Sequence, residues 1–155
     1  MGITYREIYQ GEEEDVCKLI IECFNEFVAP GYSEDGIIEF SKYVTPESTL
    51  NRLSRNHFIL IALDGNFIVG VIEIRNHNHI SLFFVRKEYQ NQGIGKRLHE
   101  LAIEKCKTLK PDVNVIDVNS SPYAVPIYEK LGFVKVSNEQ INNGMRFTPM
   151  TIKIS

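Results

Sequence analysis

The spacing of apolar positions changes character twice along the chain. Ile3–Tyr9 alternates as a first strand does, and Glu12–Val28 then carries Val16, Leu19, Ile20, Cys23, Phe24 and Phe27 at helical spacing. Acidic Glu12–Asp15 suits the positive end of that helix, and Pro30-Gly31 stops it. Ser33 can cap a second short helix over Glu34–Tyr43; Thr45, followed by Pro46, can cap a third that runs to Arg55. From Phe58 the period becomes that of strands. Phe58–Leu63 and Phe67–Arg75 flank an Asp64-Gly65 turn, and Asn76–Asn78 turns the chain into His79–Val85, which predicts a three-stranded antiparallel meander. The helical period returns over Ile94–Leu109. A compact strand at Val113–Val118, a short helix at Pro122–Leu131 closed by Gly132, and strands at Phe133–Val136 and Met145–Ile154 follow.

This order of elements predicts one α/β domain with a mixed sheet. The chain has 155 residues, 43% hydrophobic and 24% charged, with a net charge of −3; that is one core's worth of chain and too apolar for disorder. No apolar run approaches the roughly 18 residues of a membrane span. The N-terminal residues lack the basic-then-apolar order of a secretory signal, so the expected location is cytoplasmic. A sequence pI near 5.8 argues against nucleic acid as a partner. Cys17, Cys23 and Cys106 form no Cys-x-x-Cys or Cys/His spacing, so no metal site is expected and the thiols read as packed.

The richest chemistry lies in Val85–Arg97, which joins a strand to a helix. Gly93 and Gly95 let the backbone turn and approach a ligand, and the helix start offers free N–H groups to a pyrophosphate. Arg86, Lys87, Lys96 and Arg97 add positive charge in an otherwise acidic chain. The dinucleotide fingerprint fails because Leu98 stands where its third glycine belongs. The Walker A loop fails because one residue separates the glycines and Arg97 follows Lys96.

The stretch Gln90-Asn91-Gln92-Gly93-Ile94-Gly95 resembles the Gln/Arg-x-x-Gly-x-Gly/Ala signature of the GCN5-related N-acetyltransferase (GNAT) superfamily. Downstream, Tyr128-Glu129-Lys130-Leu131-Gly132-Phe133 is similar to a second family segment. The resemblance is weakest over residues 29–56 and 137–147. It implies a mixed, mostly antiparallel twisted sheet of about seven strands with about four to five helices, whose two splayed parallel strands, His79–Val85 and Val113–Val118, clasp acetyl-CoA. It further implies that backbone at Phe84 and Val85 pairs with the pantetheine arm, with Asn119 beside it. Gln90, Gln92, Gly93, Ile94, Gly95, Lys96 and Arg97 would form the pyrophosphate cradle. The expected partner is an amine acceptor, and the resemblance is compatible with a homodimer.

Acetyl transfer to an amine needs a neutral amine, a stabilised carbonyl oxygen and a proton for the departing thiolate. Tyr128 matches the family position that protonates the CoA sulfur; the alternative is a ring that merely packs. For the base, His79 lies eleven residues before Gln90, an offset where some family members carry a glutamate. A three-residue turn at Asn76–Asn78 sets Arg75 opposite His79 and Glu73 opposite Ser81, gathering these polar groups on one sheet face. His79 leads as the base and Glu73 is second; a solvated face with cross-strand ion pairs is the alternative. His57 and His99 read as surface residues. Tyr32, Phe40 and Tyr43 are expected to wall the acceptor site, and Glu34, Asp35, Glu39 and Glu73 to attract a cationic amine. A CoA-binding module without turnover is the competing reading.

Overall fold

The computed structural model describes residues 2–154. Eight strands form a sheet in the order β1-β2-β3-β4-β5-β8-β6: β1 is Thr4–Glu7, β2 His57–Asp64, β3 Phe67–Arg75, β4 His79–Val85, β5 Val115–Ser120, β6 Val134–Lys135 and β8 Met145–Lys153. β7, Gln140–Asn142, pairs only with the start of β8. The asparagines and glycine between Val136 and Met145 suggest a loop there instead. Asn143-Gly144, both at positive φ, folds the chain back as an Asn-Gly hairpin turn and so creates the extra strand. All neighbours are antiparallel except β4 and β5.

Five α-helices cover the two faces: α1 Glu13–Cys23, α2 Glu34–Tyr43, α3 Pro46–Leu53, α4 Ile94–Leu109 and α5 Val125–Lys130. Ser33 and Thr45 cap α2 and α3 as their sequence positions suggest, accepting from the N–H groups of Gly36 and Ser48. The first helix does not run unbroken to Val28. A π-helical turn over Phe24–Val28 widens its end, and a tighter 3₁₀ turn over Ala29–Gly31 follows. Alternation along the central strands splits the core in two. Leu60, Ile72, Ile74, Ile80 and Val118 pack toward α4 and α5, while Ile59, Ile61, Val71 and Leu82 pack toward α1. All three cysteines are buried and free. Among the described residues, no helix is long and apolar enough to cross a membrane.

The hairpin register differs from expectation at one point. Arg75 does oppose His79, but a bulge leaves Ser81 unpaired, so Glu73 faces Leu82 rather than Ser81. Two histidines are also deeper than expected. His99 is buried, with its ring 5.4 Å from that of Phe133, and half-buried His57 contacts Glu73 through Nδ1.

Candidate active site

β4 and β5 hold each other at only two positions, His79 with Asp117 and Ile80 with Val118. Beyond them β5 continues along β8 as far as Ser120, and β4 continues along β3 as far as Val85, so the two strands part. The gap is the floor of a cleft of about 370 Å³. Because the inward residues of β4 alternate between the two cores, the cleft passes through the sheet. Phe83 and Tyr128 belong to the α4 side; Leu82, Phe84 and Phe40 belong to the α1 side.

At the mouth stands the N-terminus of α4. Gly93 is its N-cap at φ +84°, where a Cβ would be strained although the surrounding space is open. No side chain caps this end, its first turn holds no acid, and Lys96 lies within it. Sixteen residues of helix therefore direct free N–H groups and a partial positive charge toward the cleft. Of the four expected basic groups, only Lys96 lines the cleft. Arg86 is bound to Glu22 and the Ile68 carbonyl, Lys87 to Glu26 and Arg97 to Glu100.

The predicted cofactor residues divide accordingly. Phe84, Val85, Gln90, Gly93, Gly95, Lys96 and Asn119 line the cleft. Gln90 Nε2 donates to the Val85 carbonyl at 2.9 Å and thereby ties the loop to the end of β4. Gln92, Ile94 and Arg97 do not line it: Gln92 is exposed, Ile94 is buried under β3, and only their backbone is at the helix start. A cradle of uncapped amides beside a lysine, continuous with a strand edge free of ladder bonds, fits a pyrophosphate on a flexible arm of amides. That is the shape of CoA.

Tyr128 is nearly buried in the cleft wall, between Phe133 at 5.2 Å and Phe83 at 6.0 Å. Burial alone drives its phenol pKa well above the usual 10, so the group keeps its proton at neutral pH. His79 does not line the cleft: it lies in the paired part of β4, next to the lining residue Ile80, with Nδ1 against Asp117 Oδ1. Desolvation lowers its pKa below 6.5, although Asp117 opposes the shift, so its imidazole is neutral at pH 7. Glu73 lies elsewhere in chemical terms. It is fully buried and clamped by Arg52, at 2.7 and 3.1 Å, and by His57 at 2.8 Å. Arg52 also donates to the Tyr43 carbonyl and stacks on the Tyr43 ring.

The expected acceptor walls are rearranged too. Tyr32 and Phe40 line the cleft, but Tyr43 and Glu39 line a separate, shallower cavity of about 570 Å³ with Arg52, Arg55 and Arg75. Glu34, Asp35 and Glu73 line neither. Phe24, Phe27 and Tyr123, which sequence reasoning assigned to no site, do line the cleft. The only hint was a pair of phenylalanines at the helix end just before Pro30-Gly31, and helical spacing made them look like core.

Comparison with known proteins bears on this architecture. Residues 28–154 match the model of the Acetyltransferase (GNAT) domain family. The chain belongs to the GNAT acetyltransferases. Its fold is shared by the GCN5-related N-acetyltransferase of Rhodopseudomonas palustris (TM-score 0.83, 22% identity, 99% of this chain and 97% of that one). It is shared equally by the PaiA N-acetyltransferase of Thermoplasma acidophilum, solved with coenzyme A (TM-score 0.83, 20% identity, 99% and 100%). The N-acetylglutamate synthase of Neisseria gonorrhoeae, solved with coenzyme A and N-acetyl-glutamate, superposes at TM-score 0.74 and 15% identity over 100% of this chain and 36% of that one.

Proposed function

We propose that this protein is an acetyl-CoA-dependent N-acetyltransferase that passes the acetyl group directly from the thioester to an amine. The observation that carries the reading is the parting of β4 and β5 over a cleft with an uncapped helix start at its mouth and a protonated tyrosine in its wall. Acetyl-CoA supplies the activated acyl group. The amide N–H groups from Gly93 to Lys96, with the Lys96 ammonium, hold its phosphates, and the free edge of β4 from Ser81 to Val85 meets the arm.

The amine nitrogen bonds to the acyl carbon, the carbon–sulfur bond breaks, and the sulfur takes the Tyr128 proton. A phenol kept neutral by burial is available for that transfer at every physiological pH. The nitrogen must lose a proton in turn. His79 is the better-prepared acceptor, since it is neutral and Asp117 orients it through Nδ1, leaving Nε2 to take a proton directly or through water. Glu73, already shared between Arg52 and His57, serves the fold. Direct transfer also agrees with the thiols: burial pushes Cys23 up to about 12 and Cys106 up to about 11, so neither is a ready nucleophile.

Thiol release from acetyl-CoA in the presence of amines tests this reading, together with the mass of the acylated product. Turnover should weaken toward acid pH in the wild type, and the His79→Ala variant should lose that acid limb along with rate. CoA binding without thiol release across all amines would instead favour a non-catalytic CoA module.

A further inference from the structure

On the α1 side the cleft opens into a chamber of aromatic rings. Phe24 and Phe40 stack at 3.9 Å with planes 5° apart, and Phe27 and Tyr123 stack at 4.9 Å and 16°. Tyr32 meets Phe24 edge-on at 5.5 Å, and Phe84 meets Phe40 edge-on at 6.4 Å. All six line the cleft, and among the described residues no aspartate or glutamate does; Lys96 and Lys130 are the charged lining residues. The acids that the sequence suggested for attracting a cation are elsewhere: Glu34 and Asp35 are exposed, Glu39 lines the second cavity beside Lys42, and Glu73 is committed to Arg52.

From this chamber, and resting on the acetyltransferase reading above, we propose that the acceptor is a monoamine with an aromatic or other bulky apolar body, and that polyamines and lysine-like dications are poor acceptors. A second ammonium entering the chamber would shed its water without meeting a carboxylate. Cation–π contact needs free ring faces, and the stacked and edge-on contacts already take up faces of Phe24 and Phe40. An aromatic substrate, by contrast, can set its own face against the edges of these stacked rings, the edge-on geometry that ring pairs favour. The same apolar surroundings favour the uncharged form of a single amine, which is the nucleophile the reaction requires. The chamber thus selects the acceptor by the groups it lacks as much as by the rings it presents.

The test measures thiol release by the wild-type protein with 2-phenylethylamine, putrescine, spermidine and lysine, with CoA binding followed separately by calorimetry. The expected result is a kcat/KM for 2-phenylethylamine at least about tenfold above that of each dication. Phe27→Ala and Tyr123→Ala, at the partly exposed rim of the chamber, should raise KM for 2-phenylethylamine and leave CoA affinity unchanged. A preference for putrescine, spermidine or lysine, or equal rates for all, overturns the proposal while the acetyltransferase reading stands. Acetylation of none of the four by a protein that binds CoA overturns it as well. Failure to bind CoA at all defeats the acetyltransferase reading itself.

Discussion

On the α4 side of the sheet, the cleft is made by Phe83, Val85 and the loop and helix start from Tyr89 to Lys96, together with the end of β5 and Tyr128. On the α1 side, its walls come from the widened end of α1, Tyr32, Phe40 on α2, Phe84 and Tyr123. The first half offers backbone: uncapped amides and an unpaired strand edge, which suit a ligand whose phosphates and amides do not vary. The second offers side chains, held by contacts between distant segments. Gly36 and Gly144 approach so closely that a Cβ on Gly36 would lie 2.2 Å from the Gly144 oxygen. Tyr32 donates to the Arg146 carbonyl at 3.2 Å, and Arg146 donates to that of Gly31 at 3.1 Å. These contacts join residues 29–56 to 137–147, two stretches without a recognisable motif that the family match over 28–154 nevertheless spans. One packing unit therefore joins the two stretches that carry no family motif in the sequence, and it stands on the α1 side of the cleft.

The largest effect expected from separating fold from chemistry is at Glu73. Glu73→Gln leaves Arg52 buried beside a neutral partner and should cost about 3–5 kcal/mol in urea unfolding. Full stability with lost turnover would make Glu73 a base after all. Next, Tyr128→Phe should lower turnover by roughly 10²-fold with CoA affinity kept; an unchanged rate removes it as the acid. Gly36→Ala should force α2 from the β7–β8 turn, costing about 1–3 kcal/mol. It should also impair kcat/KM for the amine more than CoA affinity, and equal impairment of both would dissolve the distinction between the halves.

The smallest effect concerns pH. Desolvation lowers the pKa values of His79 and His99 below 6.5 in the folded chain, so the unfolded chain binds these protons more tightly. Their contribution to stability is complete above about pH 6.5 and is lost as the pH falls toward the folded-state values. The melting temperature should therefore drop between pH 7 and pH 5. His99→Phe, which replaces a ring whose Nε2 is buried without a partner, should reduce that drop; an identical pH dependence would show that His99 does not contribute.

The half of the cleft built around the α4 start was readable in the chain because its structure is local. Gln90 to Lys96 encode their own turn, their own helix start and their own charge. The caps at Ser33 and Thr45 were readable for the same reason. What escaped depends on groups far apart in sequence. Periodicity cannot see that Glu73 meets Arg52 and His57, that His99 lies on Phe133, or that Phe27 stacks on Tyr123. The bulge at Ser81 is a subtler case: the turn correctly placed Arg75 opposite His79, yet one extra residue two positions later moved Glu73 away from Ser81. Short β7 carried a legible signal in Asn143-Gly144, but three residues among asparagines and a glycine read as loop.

The central claim is that the gap between β4 and β5 holds CoA, and the protein has a second cavity against which to test it. Amide hydrogen exchange of the wild-type chain, with and without CoA, distinguishes them directly. The account predicts slowed exchange at the α4 start, from Gly93 to Lys96, and along Ser81 to Val85, with the segments around Arg55 and Arg75 unchanged. Protection confined to Arg55 and Arg75, with the α4 start unaffected, would contradict it.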